Sequence, residues 1–278
     1  MAQHIIVFFS PAGTTRRVAL HIEHCLAERG ITARLVDLGL PAGGPVQAGG
    51  LGLDGPCCLW IGSPVYCDHA LPLVAEWIEG LKPSARGWAV PFVTWGGVTS
   101  GLALPELADL LQARGFQTVG AAKVLAEHSS LWAAAEPLGA GRPDAADLAQ
   151  VRDLVAGVVA NLAQAAPVPL DLRLLDYLSP SLRTEAASKS LAKAKSMMPA
   201  PRAIETRCTQ CGECVAACPV GAITLDPYPV MAEHCVRCQQ CVRICPEGAF
   251  PHDPAATATR IAAMAAASDE DKVTRVFC

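Results

Sequence analysis

Charge is scarce in this chain, and no part of it is greasy for long. Asp, Glu, Lys and Arg make up 17% of the 278 residues and leave a net charge of -4, whereas 51% are hydrophobic. That apolar content excludes a disordered chain. The small negative balance lacks the basic footprint of a nucleic-acid binder, so no nucleic-acid partner is expected. No stretch reaches the ~18 uncharged apolar residues of a spanning helix. The apolar run at residues 5–9 is too short for the core of a secretory signal. A soluble, cytoplasmic protein without a membrane span is therefore expected. Also missing are the G-x-G-x-x-G turn of dinucleotide folds and the closing lysine of a nucleotide-triphosphate loop. No Ser-His-Asp order and no His-Glu-x-x-His run stands out either. The length suffices for one full domain and a small second one, each with its own core.

Cysteine, by contrast, is abundant. Eight of the thirteen fall into two copies of one spacing, Cys208-x2-Cys211-x2-Cys214-x3-Cys218-Pro219 and Cys235-x2-Cys238-x2-Cys241-x3-Cys245-Pro246. Every cysteine of the second copy lies 27 residues after its counterpart, and Gly221-Ala222 recurs at the same offset as Gly248-Ala249. An iron-sulfur cluster needs four thiolates around a compact core; a tight run supplies three, and the fourth comes from elsewhere. Zinc is the alternative, since Cys-x2-Cys pairs also bind it, but zinc leaves the third equally spaced thiol and the Cys-Pro unexplained. A disulfide framework belongs to oxidising compartments.

Residues 204–250 closely resemble the two-cluster bacterial ferredoxins. Carried over position by position, the resemblance implies that Cys208, Cys211, Cys214 and Cys245 hold one 4Fe-4S cluster. It implies likewise that Cys235, Cys238, Cys241 and Cys218 hold the other, the fourth cysteine of each run crossing to its neighbour.

Upstream, short β-branched and aromatic runs alternate with helix-period segments. Strands are expected at residues 5–9, 31–38, around 59–61, around 90–93 and at 118–125, and helices at 15–29, 71–81, 102–113 and 144–164. Five strands separated by helices imply a parallel sheet, and the Gly-rich crossover at 39–56 reads as irregular. Ligands of such sheets sit at the carboxyl ends of the strands near the switch point. The first loop there, Ser10-Pro11-Ala12-Gly13-Thr14-Thr15, opens a helix with small hydroxyl residues, a cradle for a terminal phosphate.

This segment resembles a flavodoxin, whose phosphate loop typically reads Ser/Thr-x-Thr-Gly-x-Thr. Ser10, Gly13 and Thr15 match; Ala12 replaces the middle threonine and removes one phosphate hydroxyl, for which Thr14 is the substitute. The stretch Ser63-Pro64-Val65-Tyr66 resembles the family's first flavin loop, and Thr94-Trp95-Gly96-Gly97 its second. The resemblance implies FMN, with Tyr66 and Trp95 as stacking candidates. Fold class is thus α/β: a flavodoxin-like, doubly wound, five-stranded parallel sheet with a small C-terminal α+β two-cluster ferredoxin domain.

The expected organisation is 1–165 for the FMN-binding domain, 166–203 for a linker, 204–250 for the ferredoxin domain and 251–278 for a helical tail. The linker is Pro-rich with a local excess of Lys and Arg, read mainly as solvated, with a short helix at 191–198. Cys67, His69 and His128 lie in or near the flavin loops without a partner visible in sequence, and bland packing is the default for them. As a whole the chain resembles the flavodoxin-ferredoxin fusion proteins of anaerobic bacteria and archaea. The resemblance implies an electron carrier between FMN and two 4Fe-4S clusters, serving redox partner proteins of ferredoxin type, with a homodimer compatible. Two other readings stay open: an FMN-dependent reductase of a small molecule fed by the clusters, and a flavin-free partner-binding or sensor module carrying a ferredoxin.

Overall fold

The structure, a computed structural model, describes residues 2–39, 48, 55–84 and 87–278. Most of the crossover at 39–56 lies outside them. β1 (Gln3–Phe8) is buried at its last five positions because both faces of the sheet are covered, as its continuous apolar run requires. Gly13, at φ 91, turns the chain into α1 (Thr14–Ala27), and β2 (Ala33–Asp37) returns parallel to β1. β3 (Cys57–Tyr66) pairs with the other side of β1, then turns into the two-residue β4 (His69–Ala70). α2 (Pro72–Glu79) leads to β5 (Gly87–Trp95), parallel to β3. α3 (Ala103–Ala113), β6 (Phe116–Thr118) and β7 (Ala121–Leu125) follow, and α4 (Ala145–Leu162) starts on a reciprocal cap between Asp144 and Asp147.

The parallel order is β2-β1-β3-β5-β7, the flavodoxin order. α1 and α4 cover one face through Val18, Ile22, Leu26, Val151, Leu154 and Val158, and α2 and α3 cover the other through Val74, Ile78, Leu104, Leu107 and Leu111. Each such fully buried side chain contributes about 1.5–3 kcal/mol. The strand expected at 118–125 is broken into β6 and β7, both paired with β5. The break falls where α4 presses closest: a Cβ on Gly120 would come within 2.8 Å of Leu154.

The sequence reading has no counterpart for the edge beyond β7. Here the end of the chain returns as β10 (Arg275–Phe277), antiparallel to β7. Nor is the segment after α4 merely solvated. It forms a short 3-10 turn at Leu172–Leu175, α5 (Pro180–Ala187) and α6 (Leu191–Met197). Leu175 is buried in the α2/α3 core, with Leu170, Leu172, Tyr177 and Leu191 packed against it.

The cysteine unit comprises α7 (Glu213–Ala216), β8 (Ile223–Leu225), β9 (Pro229–Met231) and α8 (Gln240–Ile244), and is followed by α9 (Pro254–Ala267). Its backbone repeats as its sequence does. Left-handed residues recur at the same offset: Gln210 and Arg237 both at φ 58, Gly212 at 80 and Gln239 at 60, Gly221 at 60 and Gly248 at 55. Arg237 and Gln239 hold these conformations without being glycine, at a cost that the surrounding loop must offset. Among the described residues, no helix is long and apolar enough to cross a membrane.

Candidate functional site: two cysteine hollows on the carboxyl end of the sheet

The eight repeated cysteines line two separate hollows. One is walled by Cys208, Cys211, Cys214 and Cys245, the other by Cys218, Cys235, Cys238 and Cys241. Each set thus holds three cysteines from one run and the last of the other. The left-handed residues between the cysteines bend the loop around its hollow. In both copies a backbone amide donates to the last thiol, Ala222 N–H to Cys218 Sγ (3.2 Å) and Ala249 N–H to Cys245 Sγ (3.4 Å). Such N–H···S bonds stabilise a thiolate.

Whether these residues suit a cluster is tested by the polar groups left over. Arg237 Nη1 and Gln239 Oε1 are buried without a partner, and both residues wall the second hollow. An unpaired guanidinium donor on a wall that also carries four thiols complements an anionic thiolate cluster. Burial pushes the thiol of Cys238 up to about 11 and that of Cys241 up to about 12, so binding metal there means displacing protons. The unit's small core consists of Cys214, Cys218, Cys241, Ala222, Ile223 and Phe250, with little apolar mass apart from the sulfur. The residues fit the group.

The second hollow is pressed against the first domain. Val236 is buried within the α2/α3 core, and Cys238 and Val220 pack on it beside Val65 and Tyr66. The Tyr66 hydroxyl hydrogen-bonds Ser129 and lies within electrostatic reach of Cys238 and Arg243. Burial, foremost, raises its pKa, so the phenol stays protonated. On the flank, Lys195 Nζ donates to the Glu233 carbonyl (3.0 Å) and Arg237 to that of Met198, tying α6 to the cysteine unit. Trp132 stacks on His252 at 4.3 Å, a further seam between the two parts.

The three loops resembling flavin loops do meet at the carboxyl end, with different packing from that expected. In the first, Gly13 has open space around its α-carbon. Ser10 Oγ accepts from Arg16 N–H (2.9 Å) and caps α1, whereas Thr15 is buried with its hydroxyl on that of Thr94 (2.7 Å). Among the described residues the amides of Ala12, Thr14 and Thr15 have no backbone acceptor, which leaves donors at a helix start for a phosphate.

Ser63, Pro64, Val65 and Tyr66 are not a loop. They extend β3 into a hairpin with β4, turned by Cys67 and Asp68 at φ 52 and 68. Ser63 Oγ accepts from Leu71 N–H and donates to the Pro64 carbonyl, so it pins the hairpin. The tip is clamped: Asp68 pairs with Lys189 (2.6 Å), and its carbonyl accepts from Leu102 N–H. A Cβ on Gly101 would fall 2.0 Å from that carbonyl. His69, for which plain packing is the expectation, is spent on structure. Its Nδ1 meets Glu106 (2.6 Å) and its Nε2 the carbonyl of Ala186 (2.9 Å).

Trp95 requires a correction. It is 1% exposed, and the ammonium of Lys123 lies 4.9 Å above its ring, so that face is not free to cover a flavin. Its indole N–H finds no acceptor among the described residues, an orphan donor beside the loop. Gly96 and Gly97 lie close under His128 and Leu138, where a side chain would collide. Burial, then the charge of Arg260, hold the His128 imidazole down to about 4, so it is neutral near pH 7.

Sequence reasoning missed the group that fixes this region. Glu270, from the returning tail, accepts from Lys123 Nζ (2.5 Å), Thr99 Oγ1 (2.7 Å), Ser100 N–H (2.7 Å) and Ser100 Oγ (2.5 Å). Both members of the Lys123–Glu270 pair are 4% exposed. No spacing in the sequence links residues 123 and 270.

Strand order and cysteine cradles together define the class: a flavodoxin-type α/β sheet fused to a two-cluster ferredoxin unit. Residues 207–249 match the family model described as a 4Fe-4S dicluster domain. Among solved structures, the rubredoxin oxygen:oxidoreductase of the anaerobe Desulfovibrio gigas is 19% identical over 58% of this chain, with a TM-score of 0.43. The chain spans 37% of that protein's length. An archaeal flavodoxin is 15% identical over 58% of this chain and 99% of its own, with a TM-score of 0.42. A Streptococcus pneumoniae TIGR4 flavodoxin is 13% identical over 57% of this chain and 99% of its own, at 0.45. No curated protein matches the sequence. The fold assignment rests on the strand order, not on these likenesses.

Proposed function

We propose that the protein is an electron-transfer iron-sulfur flavoprotein, with one 4Fe-4S cluster on Cys208, Cys211, Cys214 and Cys245 and the other on Cys218, Cys235, Cys238 and Cys241. The observation that carries this reading is the partition of the eight thiols into two four-cysteine hollows, one of them packed on the carboxyl end of the sheet. FMN is the second proposed cofactor, its phosphate on the amides of Ala12, Thr14 and Thr15. When bound, the clusters handle single electrons and the flavin one or two, which lets the molecule convert between pair and single-electron donors. The chain's own residues do the rest. Gly13 leaves room at the helix start, Tyr66 packs on the same core as Cys238, and the amides of Ala222 and Ala249 donate to Cys218 and Cys245.

The burial of Trp95 under the Lys123 ammonium favours, as a second reading, a flavin-free sheet that serves the ferredoxin as a scaffold. Anaerobic purification followed by iron, sulfide and flavin analysis separates the two. About eight irons with one FMN supports the first reading, and about eight irons without flavin the second. Zinc without sulfide would sink both. The crossed ligand sets are checked by serine variants. Cys211→Ser and Cys245→Ser should lose the same paramagnetic signal, and Cys218→Ser and Cys238→Ser the other.

A further inference from the structure

The two hollows differ in what surrounds them. The second is enclosed by the chain itself, through Val236 in the α2/α3 core, on which Cys238 and Val220 also pack, and α6 at the flank. The first faces outward. Cys211 is exposed, and on the same wall stand Pro229 and Leu225, the latter 39% exposed, apolar side chains opposite each other on β8 and β9. Charge follows the same division. The wall of the first hollow includes Glu213 and Glu247 and, among the described residues, no Lys or Arg; that of the second includes Arg237 and no Asp or Glu. Asp226, also exposed, adds to the acidic rim next to Leu225.

We propose that the two clusters have unequal roles, with the Cys208/Cys211/Cys214/Cys245 site acting as the external port. The surface around it docks a one-electron redox protein that carries a cationic rim about an apolar centre. The Cys218/Cys235/Cys238/Cys241 site is the internal partner of the sheet domain. This inference rests on the two-cluster reading above. Glu213 and Glu247 steer a cationic partner to the outer site, and Leu225 and Pro229 supply the desolvated contact that holds it there. Each encounter moves one electron from a reduced cluster to the partner's oxidised centre; no bond is made or broken and no proton is transferred. An anionic carrier would be repelled at the exposed site and sterically denied the enclosed one.

The test uses the full-length, cluster-loaded protein and cytochrome c as the probe, a cationic one-electron haem protein. Calorimetric titration at low salt should give binding that weakens at least tenfold between about 20 and 200 mM salt, as surface charge pairs are screened. The Glu213→Lys/Glu247→Lys variant should bind at least tenfold more weakly. On adding cytochrome c, the shifted cysteine proton resonances of one cluster should broaden and those of the other stay sharp. Iron and sulfide are measured on every sample. If the charge-reversed variant retains less than the full complement, Glu213→Gln/Glu247→Gln takes its place, with a smaller loss expected. Unchanged affinity in the loaded variant, equal broadening of both clusters, or no binding at low salt would overturn the port while leaving the two-cluster reading intact. Absence of iron and sulfide from the unmutated protein would instead remove the reading beneath it.

Discussion

His128 couples this site to protons. Its imidazole is held neutral by burial and, secondarily, by Arg260, with its pKa lowered to about 4 from an ordinary 6.5. Below pH 6.5 the unfolded chain therefore binds a proton that the folded one refuses, and stability falls as the pH drops from about 6.5 to about 4. The displacement corresponds to roughly 3–4 kcal/mol at most. Denaturant unfolding at pH 7.5, 6 and 4.5 should show this loss, and His128→Gln should flatten it; an unaltered slope would remove His128 as the cause. His69 has the opposite sign. Burial lowers its pKa, but Glu106 and the backbone carbonyls more than offset that and raise it, so its contribution is complete below pH 6.5 and fades as the pH climbs through the raised value.

At this scale the sequence was readable where chemistry imposes spacing and opaque where packing decides. The repeated interval singles out eight cysteines as ligand candidates, because a cluster core admits few ways to place three thiols on one short loop, and the fold gathers these eight into two fours. Trp95 could not be read correctly. Its neighbours Thr94, Gly96 and Gly97 suit a flavin loop, yet the side chain is covered by Lys123, which is anchored in turn by Glu270 from the far end of the chain.

Among elements, the long ones were legible and the short ones were not. α1, α3 and α4 show a clear apolar stripe, and the strands of the sheet interior show unbroken apolar runs. β10 has three residues, too few for any alternation to register, and only its partner β7 makes it a strand. α5 and α6 lie in a Pro-rich stretch whose composition suggests a solvated link, although Leu175 and Leu182 are buried. The segment that leads into β10 is tied to the sheet by the buried Lys123–Glu270 pair. Lys123→Met leaves the Glu270 carboxylate buried without its cation, at a cost of about 3–5 kcal/mol. Hydrogen exchange should speed up across β7 and β10 in that variant. In the double variant Lys123→Met/Glu270→Leu, most of the stability should return; a double variant as weak as the single one would assign the cost to something other than the stranded charge.

For the whole molecule, the two parts differ in how they are held together. The sheet domain owns two extensive apolar cores, whereas half of the buried residues at the heart of the ferredoxin unit are cysteines. Metal and folding are therefore linked in the second part and not in the first. Stripping iron with acid and a chelator should leave slow hydrogen exchange in β1, β3 and β5 while the amides of residues 207–249 exchange freely. A single concerted loss of protection across both parts would contradict that division.

The return of the chain to pair β10 with β7 also sets an order of assembly. The ribosome makes residues 3–125 long before residue 275, so β7 spends the synthesis of the whole ferredoxin unit as an open strand edge. Such an edge is a template for pairing with another chain. Its cover is made only after both cysteine runs have emerged, so metal can load while β10 is still absent. The same closure leaves the ferredoxin unit as a loop with both ends fixed to one sheet, unable to drift away as a domain on a single tether would.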